Sequence, residues 1–251
     1  MIDVHCHLEY IENPEKAILE AKEKGMKGLI SSVADPKEAE KVLNLRKKFP
    51  DFVFVALGFH PEYVEGYSKD KLQNYLDFLK EKRNEIVAMG EVGLDYFHNS
   101  QNKKEQKAVF REFIHLAQEL NLPLVVHCRE AWNDVLEILK EERAEKVCLH
   151  CFSGSEGNLK EAISRNYFVS FATNLCYTKK HPRLLEKTPL EFLLLETDSP
   201  WLDPENPKQL TNRPWKVFFS AQKVAQIKRV SLEEIIEITT DNAKKFFNLK
   251  L

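Results

Sequence analysis

The chain opens Met1-Ile2-Asp3-Val4-His5-Cys6-His7-Leu8. A short apolar run ending in two histidines one residue apart suits a β-strand. Side chains of a strand alternate between faces, so His5 and His7 point one way and Cys6 the other. Two imidazoles on one face make a bidentate claim on a divalent ion. The same pair near a terminus also reads as two partly solvated surface histidines. The rest of the chain decides between the two.

Working outward, strand-like apolar runs recur at 28–33, 52–57, 86–89, 123–127, 147–150, 168–171 and 192–195, which with 1–7 makes eight. They are rich in Val, Ile, Leu and Phe and mostly continuous rather than alternating, as strands of a buried parallel sheet should be. Helical stripes lie between them. One is Leu72, Tyr75, Leu76 and Leu79; a second is Val109, Phe113, Leu116, Ala117 and Leu120; a third is Trp132, Val135, Leu136 and Leu139. A Pro-rich loop at 199–214 precedes two closing helices, one of them opened by a capping box, Ser231-Leu-Glu-Glu234. Eight alternating β and α units in 251 residues predict an α/β fold, one (β/α)8 TIM barrel spanning 1–251 as a single domain. The competitor, a doubly wound open sheet, lacks its Gly-rich phosphate loop after the first strand.

On that frame the ionisable residues fall together. His5 and His7 end the first strand, His60 follows the third and Glu91 ends the fourth. His127 ends the fifth, His150 the sixth, and Asp198 the eighth. Strand C-termini of such a barrel converge on the face where active sites form. Any one of these residues has a plain structural explanation; the set does not. Two divalent ions about 3.5–4 Å apart need a bridging carboxylate with imidazoles on both sides. Glu91, on a middle strand between Gly90 and Gly93, fits the bridge. Asp198 fits a ligand that doubles as general base. Mixed N and O donors suit Zn²⁺ or Mn²⁺ and accommodate Mg²⁺. Glu196 shares the strand face of Asp198 and reads as a supporting carboxylate. His115, within a helix, and His181, before Pro182, read as non-functional. His98 falls in the loop after Glu91 and within reach of substrate.

The bulk properties narrow the class. A net charge of −2 advertises no global field for nucleic acid, so any such binding must use a local patch. No apolar run reaches membrane-spanning length, and the start does not read as a signal peptide. The five cysteines fit a reducing compartment, so a cytoplasmic protein with no membrane contact is expected. Cys148-Leu-His-Cys151 is formally a C-x-x-C, but its strand context turns the two thiols to opposite faces and argues against a redox or zinc role.

The motifs Asp3-Val-His-Cys-His7, Gly58-Phe-His-Pro61, Gly90-Glu-Val-Gly-Leu-Asp95, His127-Cys-Arg-Glu-Ala131, His150-Cys-Phe-Ser-Gly154, Glu196-Thr-Asp-Ser-Pro-Trp-Leu202 and Asn242-Ala-Lys-Lys-Phe-Phe247 span nearly the whole chain. In that order they resemble the TatD family of metal-dependent deoxyribonucleases, a branch of the amidohydrolase-like barrels. The resemblance implies two divalent ions per chain. His5, His7, Glu91 and Asp198 would hold one; Glu91, His127 and His150 the other. It makes Asp198 the base, and places His60 and Arg129 near the substrate phosphate. A guanidinium suits that contact. The implied substrate is DNA, single-stranded or at ends, with exonuclease action; the oligomeric state stays open. One departure is Asn212-Arg-Pro214, where many members carry Asn-Glu-Pro, which puts substrate range in doubt. The alternatives are a related barrel hydrolase cleaving a cyclic amide, lactone or small phosphoester, and a barrel that binds without catalysis. The wider superfamily often bridges its ions with a modified lysine, so Glu91 favours the first reading. A spare carboxylate at Asp198 disfavours the last.

Overall fold

The structure, a computed structural model, describes residues 1–251. Eight parallel strands form one sheet in chain order: β1 Ile2–Cys6, β2 Gly28–Val33, β3 Val53–Leu57, β4 Ala88–Asp95, β5 Leu124–Arg129, β6 Val147–Leu149, β7 Phe168–Phe171 and β8 Leu193–Leu195. Helices cross between them: α1 Pro14–Glu23, α2 Ala39–Lys48, α3 Lys69–Glu81, α4 Lys103–Glu119, α5 Trp132–Glu141, α6 Glu156–Ser164 and α7 Lys180–Lys187. Two more, α8 Val217–Lys228 and α9 Leu232–Phe247, follow the last strand. This is the expected (β/α)8 barrel. The seam between β1 and β8 is closed by side chain and loop. The Asp3 carboxylate accepts from Thr197 N and Oγ1 at 2.9 and 2.6 Å, and Asp198 N donates to His5 O at 3.0 Å.

Strands and helices share one core. The expected stripes point inward: Tyr75, Leu76 and Leu79, then Phe113, Leu116 and Ala117, then Val135, Leu136 and Leu139 are all buried. A second, smaller cluster fills the barrel itself. Ile2, Val4, Ile30, Ala56, Ala88, Val125, Cys148, Phe168 and Leu194 meet there, so every strand contributes. Ala243, Phe247 and Leu249 at the end of α9 stopper this lower end. Burying a Phe side chain is worth about 1.5–3 kcal/mol, which helps hold α9 across the bottom.

Two of the boundaries that differ from expectation bear on the site. β4 runs to Asp95, not 89, so Glu91 sits inside the strand rather than at its end. β8 stops at Leu195, and Asp198 lies beyond it in a left-handed turn with φ of 57°. The capping box expected at α9 is half made: Ser231 Oγ accepts from Glu234 N without the return bond. The complete box is at α6, where Ser155 and Asn158 cap each other. Asn there hides it from a pattern that looks for Glu or Gln. No helix is long and apolar enough to cross a membrane.

Candidate metal centre

Two strands bring their donors to the barrel mouth by breaking the pleat. On β1, Asp3 pairs with Leu29 and Cys6 with Ser31, three residues against two. On β4, Met89 pairs with Leu124 and Val92 with Val126, again with one residue extra. Such a bulge reverses which residues face inward beyond it. Val4 therefore faces the interior, Cys6 packs outward, and His5 and His7 turn into the mouth. Likewise Ala88 faces inward while Val92 and Leu94 pack outward, leaving Glu91 and Asp95 at the mouth. Gly93 makes this possible, with φ of 143° and His127 O only 2.0 Å from where a Cβ would stand. Gly58 lets β3 close on the bulge, since a Cβ there would come within 2.5 Å of Glu91 O. His127, Arg129 and His150 need no such device, and continue the alternation from Val125 and Cys148.

Glu91 stands at the centre with its two oxygens turned to different partners. Oε2 lies 3.5 Å from His5 Nε2 and 3.6 Å from His7 Nε2. Oε1 lies 2.9 Å from His127 Nδ1 and 2.7 Å from His150 Nε2. Asp198 Oδ1 approaches His7 Nε2 at 3.4 Å and His5 Nε2 at 3.7 Å. The sets His5–His7–Glu91, His5–His150–Asp198 and Glu91–His127–His150 each bring their donor atoms within 4.8 Å of one another. His5 Nε2 and His7 Nε2 face each other at 3.1 Å. One ring can donate to the other there, or, with both protons on the Nδ1 atoms, the two facing lone pairs can share a cation. Nitrogen and carboxylate oxygen without thiolate suit Zn²⁺, Mn²⁺ or Mg²⁺. The donor set fits divalent metal.

Carboxylates stand behind three of the imidazoles. Glu9 Oε1 is 3.3 Å from His7 Nδ1, Asp95 Oδ2 is 3.0 Å from His127 Nε2, and Glu196 Oε1 is 3.4 Å from His150 Nδ1. Glu9 and Asp95 hydrogen-bond their imidazoles, drawing the ring proton to the far nitrogen and leaving a lone pair aimed at the centre; Glu196 lies against His150 at ion-pair distance. Asp95 is itself anchored by the backbone N–H groups of Phe97 and His98, and Glu196 by Cys151 N and Ser170 Oγ. Glu196 therefore takes the supporting place expected of it. Glu9 and Asp95 were not singled out from sequence. Each lies two or four residues past a candidate ligand, and that spacing was the available signal. His60 is arranged the opposite way. Its Nδ1 accepts from Glu62 N at 3.2 Å, so its proton sits on Nε2, 3.6 Å from Glu91 Oε1. His60 presents a donor, not a lone pair.

The electrostatics follow from this crowding. Burial opposes the charge on Glu91, but the imidazoles of His150, His60 and His127 outweigh it and hold the carboxyl well below its usual range. Burial likewise opposes charge on His7 and His150. Asp198 and Glu9 raise the first well above the ordinary imidazole value, Glu91 and Glu196 the second. His5 is lowered by burial and then by His150. His60 falls to about 3 through burial and the neighbouring His127, and so stays neutral. The carboxylates thus favour positive charge at His7 and His150, but not at His5 or His60.

The mouth opens into a cleft of about 790 Å³. His7, His60, Glu91, His127, Arg129, His150 and Asp198 all line it, with His5 just beneath. Arg129 stacks 4.1 Å over the ring of Phe97. His98 lines the cleft too, bound to Asp95 at 2.9 Å. So does His181, at the start of α7, where Thr178 Oγ1 lies 2.6 Å from its Nδ1. His115 is on the outside, paired with Glu142. Arg213 does not line the cleft; its guanidinium bonds the carbonyl of Asn212. All five cysteines are free, Cys148 in the barrel floor and Cys151 in the cleft wall.

Known proteins are similar to this one along nearly its whole length. Human deoxyribonuclease TATDN3 is 35% identical over 98% of this chain and 94% of its own. The uncharacterized metal-dependent hydrolase YabD of Bacillus subtilis is also 35% identical, over 99% of both chains. The 3'-5' ssDNA/RNA exonuclease TatD of Erwinia tasmaniensis is 31% identical over 99% of this chain and all of its own length, 100%. Among solved structures, the TatD homolog YJJV of Escherichia coli superposes with a TM-score of 0.93 at 26% identity, covering 100% of this chain and 98% of that one. The family described as TatD related DNase matches residues 2–248. With its mouth of histidines and carboxylates on a (β/α)8 barrel, the chain belongs to the TatD family of metal-dependent hydrolases.

Proposed function

We propose that this chain is a two-metal phosphodiesterase acting on DNA, trimming strands from an end. The observation that carries the reading is the divided carboxylate of Glu91, one oxygen turned to His5 and His7 and the other to His127 and His150. A carboxylate so divided serves two ions. His5, His7, Glu91 and Asp198 would hold one; Glu91, His127 and His150 would hold the other. Such ions lower the pKa of a water and neutralise charge on a phosphate.

The protein's own groups complete the chemistry. Asp198 reaches into the cleft from a left-handed turn, part-exposed, and takes the proton of the attacking water. His60 offers its Nε2–H, and Arg129 its guanidinium, to the phosphate oxygens. The human relative, a deoxyribonuclease, and the Erwinia relative, a 3'-5' ssDNA/RNA exonuclease, support the substrate class. Free cysteines throughout fit work in a reducing compartment such as the cytoplasm.

The test is a panel. Metal-stripped protein, reconstituted with Mn²⁺ or Zn²⁺ and checked by elemental analysis, is offered single-stranded DNA, RNA, a lactone, a cyclic amide and small phosphoesters. Metal-dependent release of mononucleotides from DNA is the expected result. Turnover of the lactone or cyclic amide with none on DNA would overturn the reading.

A further inference from the structure

The cleft has two chemically different walls. On one side Tyr10, Tyr63 and Trp201 stand together, delivered by the connections after β1, β3 and β8. The hydroxyls of Tyr10 and Tyr63 are 2.9 Å apart. The Trp201 ring lies 5.3 Å from Tyr10 at 69° and 5.1 Å from His7 at 85°. No two of these rings are stacked face to face, so they do not consume one another's faces. Tyr63 is anchored against the main core, whereas neither Tyr10 nor Trp201 packs against either buried cluster, and Tyr10 is 38% exposed. Arg129 is the only arginine or lysine lining the cleft.

We infer that this aromatic wall is a stacking site for an unpaired nucleobase of the strand being cleaved, and that it adds base-dependent affinity to the contacts made with the phosphate. The inference rests on the phosphodiesterase reading above. A nucleotide's base lies one sugar's width from its phosphate, and Trp201 touches the candidate ligand His7 from just that side of the mouth. Base–aromatic stacking is sequence-tolerant, because every base has a π-face. It also excludes duplex, whose base faces are already covered. Beyond the ions proposed above, the cleft offers phosphate little: the protein carries a net charge of −2 and one guanidinium in the cleft, so its side chains release few counterions. Affinity should accordingly depend on bases strongly, with the side chains contributing a log–log salt slope of only about −1.

Fluorescence anisotropy of the metal-loaded protein tests this with two short strands on a cleavage-resistant phosphorothioate backbone. One carries thymine throughout; the other carries an abasic tetrahydrofuran at each position. The thymine strand should bind roughly 5- to 100-fold more tightly. Trp201→Ala and Tyr10→Ala should each shrink that ratio toward one, Trp201→Phe should keep most of it, and metal content is measured in all. Tyr10→Ala decides the matter if the tryptophan variant loses its ions. Equal binding of the two strands by the parent, or a ratio that survives both alanine variants, overturns the stacking site and leaves the phosphodiesterase reading standing. A protein that binds neither strand while hydrolysing a lactone overturns both.

Discussion

The lower and upper halves of the barrel interior are made by the same eight strands, yet they are built on different rules. The floor obeys the pleat: Ile30, Ala56, Val125, Cys148 and Leu194 face inward where alternation puts them, and α9 closes the end. The mouth departs from it. At β1 and β4 an extra residue reverses the alternation, and those are the strands that supply His5, His7, Glu91 and Asp95. The floor lowers free energy by excluding water, at roughly 25 cal/mol per Å² of apolar surface. The mouth gathers buried imidazoles and carboxylates that only a cation or protons reconcile. One half of a barrel can thus support what the other half would not tolerate alone.

The comparison can be broken at its centre. Glu91→Ala removes the group both histidine pairs face. Hydrolysis should fall to background and both ions should be lost together, as read by elemental analysis; unchanged stoichiometry of two would place the bridge elsewhere. Next comes Asp198→Asn, which keeps the size and a ligating oxygen but cannot accept a proton. Its kcat should drop roughly 10²–10⁴-fold, the scale of general acid–base catalysis, with at least one ion retained. Glu196→Gln is its control and should stay within about tenfold, since Glu196 orients His150 from behind. A dead Glu196→Gln beside an active Asp198→Asn would transfer the base.

Smaller effects sharpen the distinction. Asp95→Asn and Glu9→Gln leave every candidate ligand in place but weaken the hold on a ring tautomer. Metal affinity, measured by competition with a chelator, should fall about 10- to 100-fold in each. An unaltered affinity would reduce these carboxylates to packing. Leu194→Ala addresses the floor instead. It should cost about 2–5 kcal/mol of unfolding free energy in urea, while kcat at 25 °C stays near the parent's. A lost activity in a folded, metal-loaded Leu194→Ala protein would mean that the halves are not separable.

Much of this was legible because buried parallel strands leave long apolar runs, and eight of them leave few alternatives. The ligand set was legible for the same reason: a polar residue at the end of an apolar run is conspicuous. What stayed hidden depends on register. Nothing in Met89-Gly-Glu-Val-Gly-Leu-Asp95 announces one extra residue relative to β5, so the apolar run alone ends the strand at 89 and gives no direction to Asp95. Glu9 lies in a short 3-10 turn, Leu8–Tyr10, whose direction no periodicity foretells. His181 reaches the cleft only because α7 starts at the barrel mouth, a fact of packing rather than pattern.

The seam between β1 and β8 also sets an order of events. Asp3 and Thr197 are 194 positions apart, so their bonds form only when nearly the whole chain is present. Contacts of that sequence separation carry a large loop-closure cost and form slowly. His5 and His7 lie on one side of the seam and Asp198 on the other. An ion shared by all three would therefore bind the closed barrel and not its incomplete predecessors, and mass action would draw the last strand home.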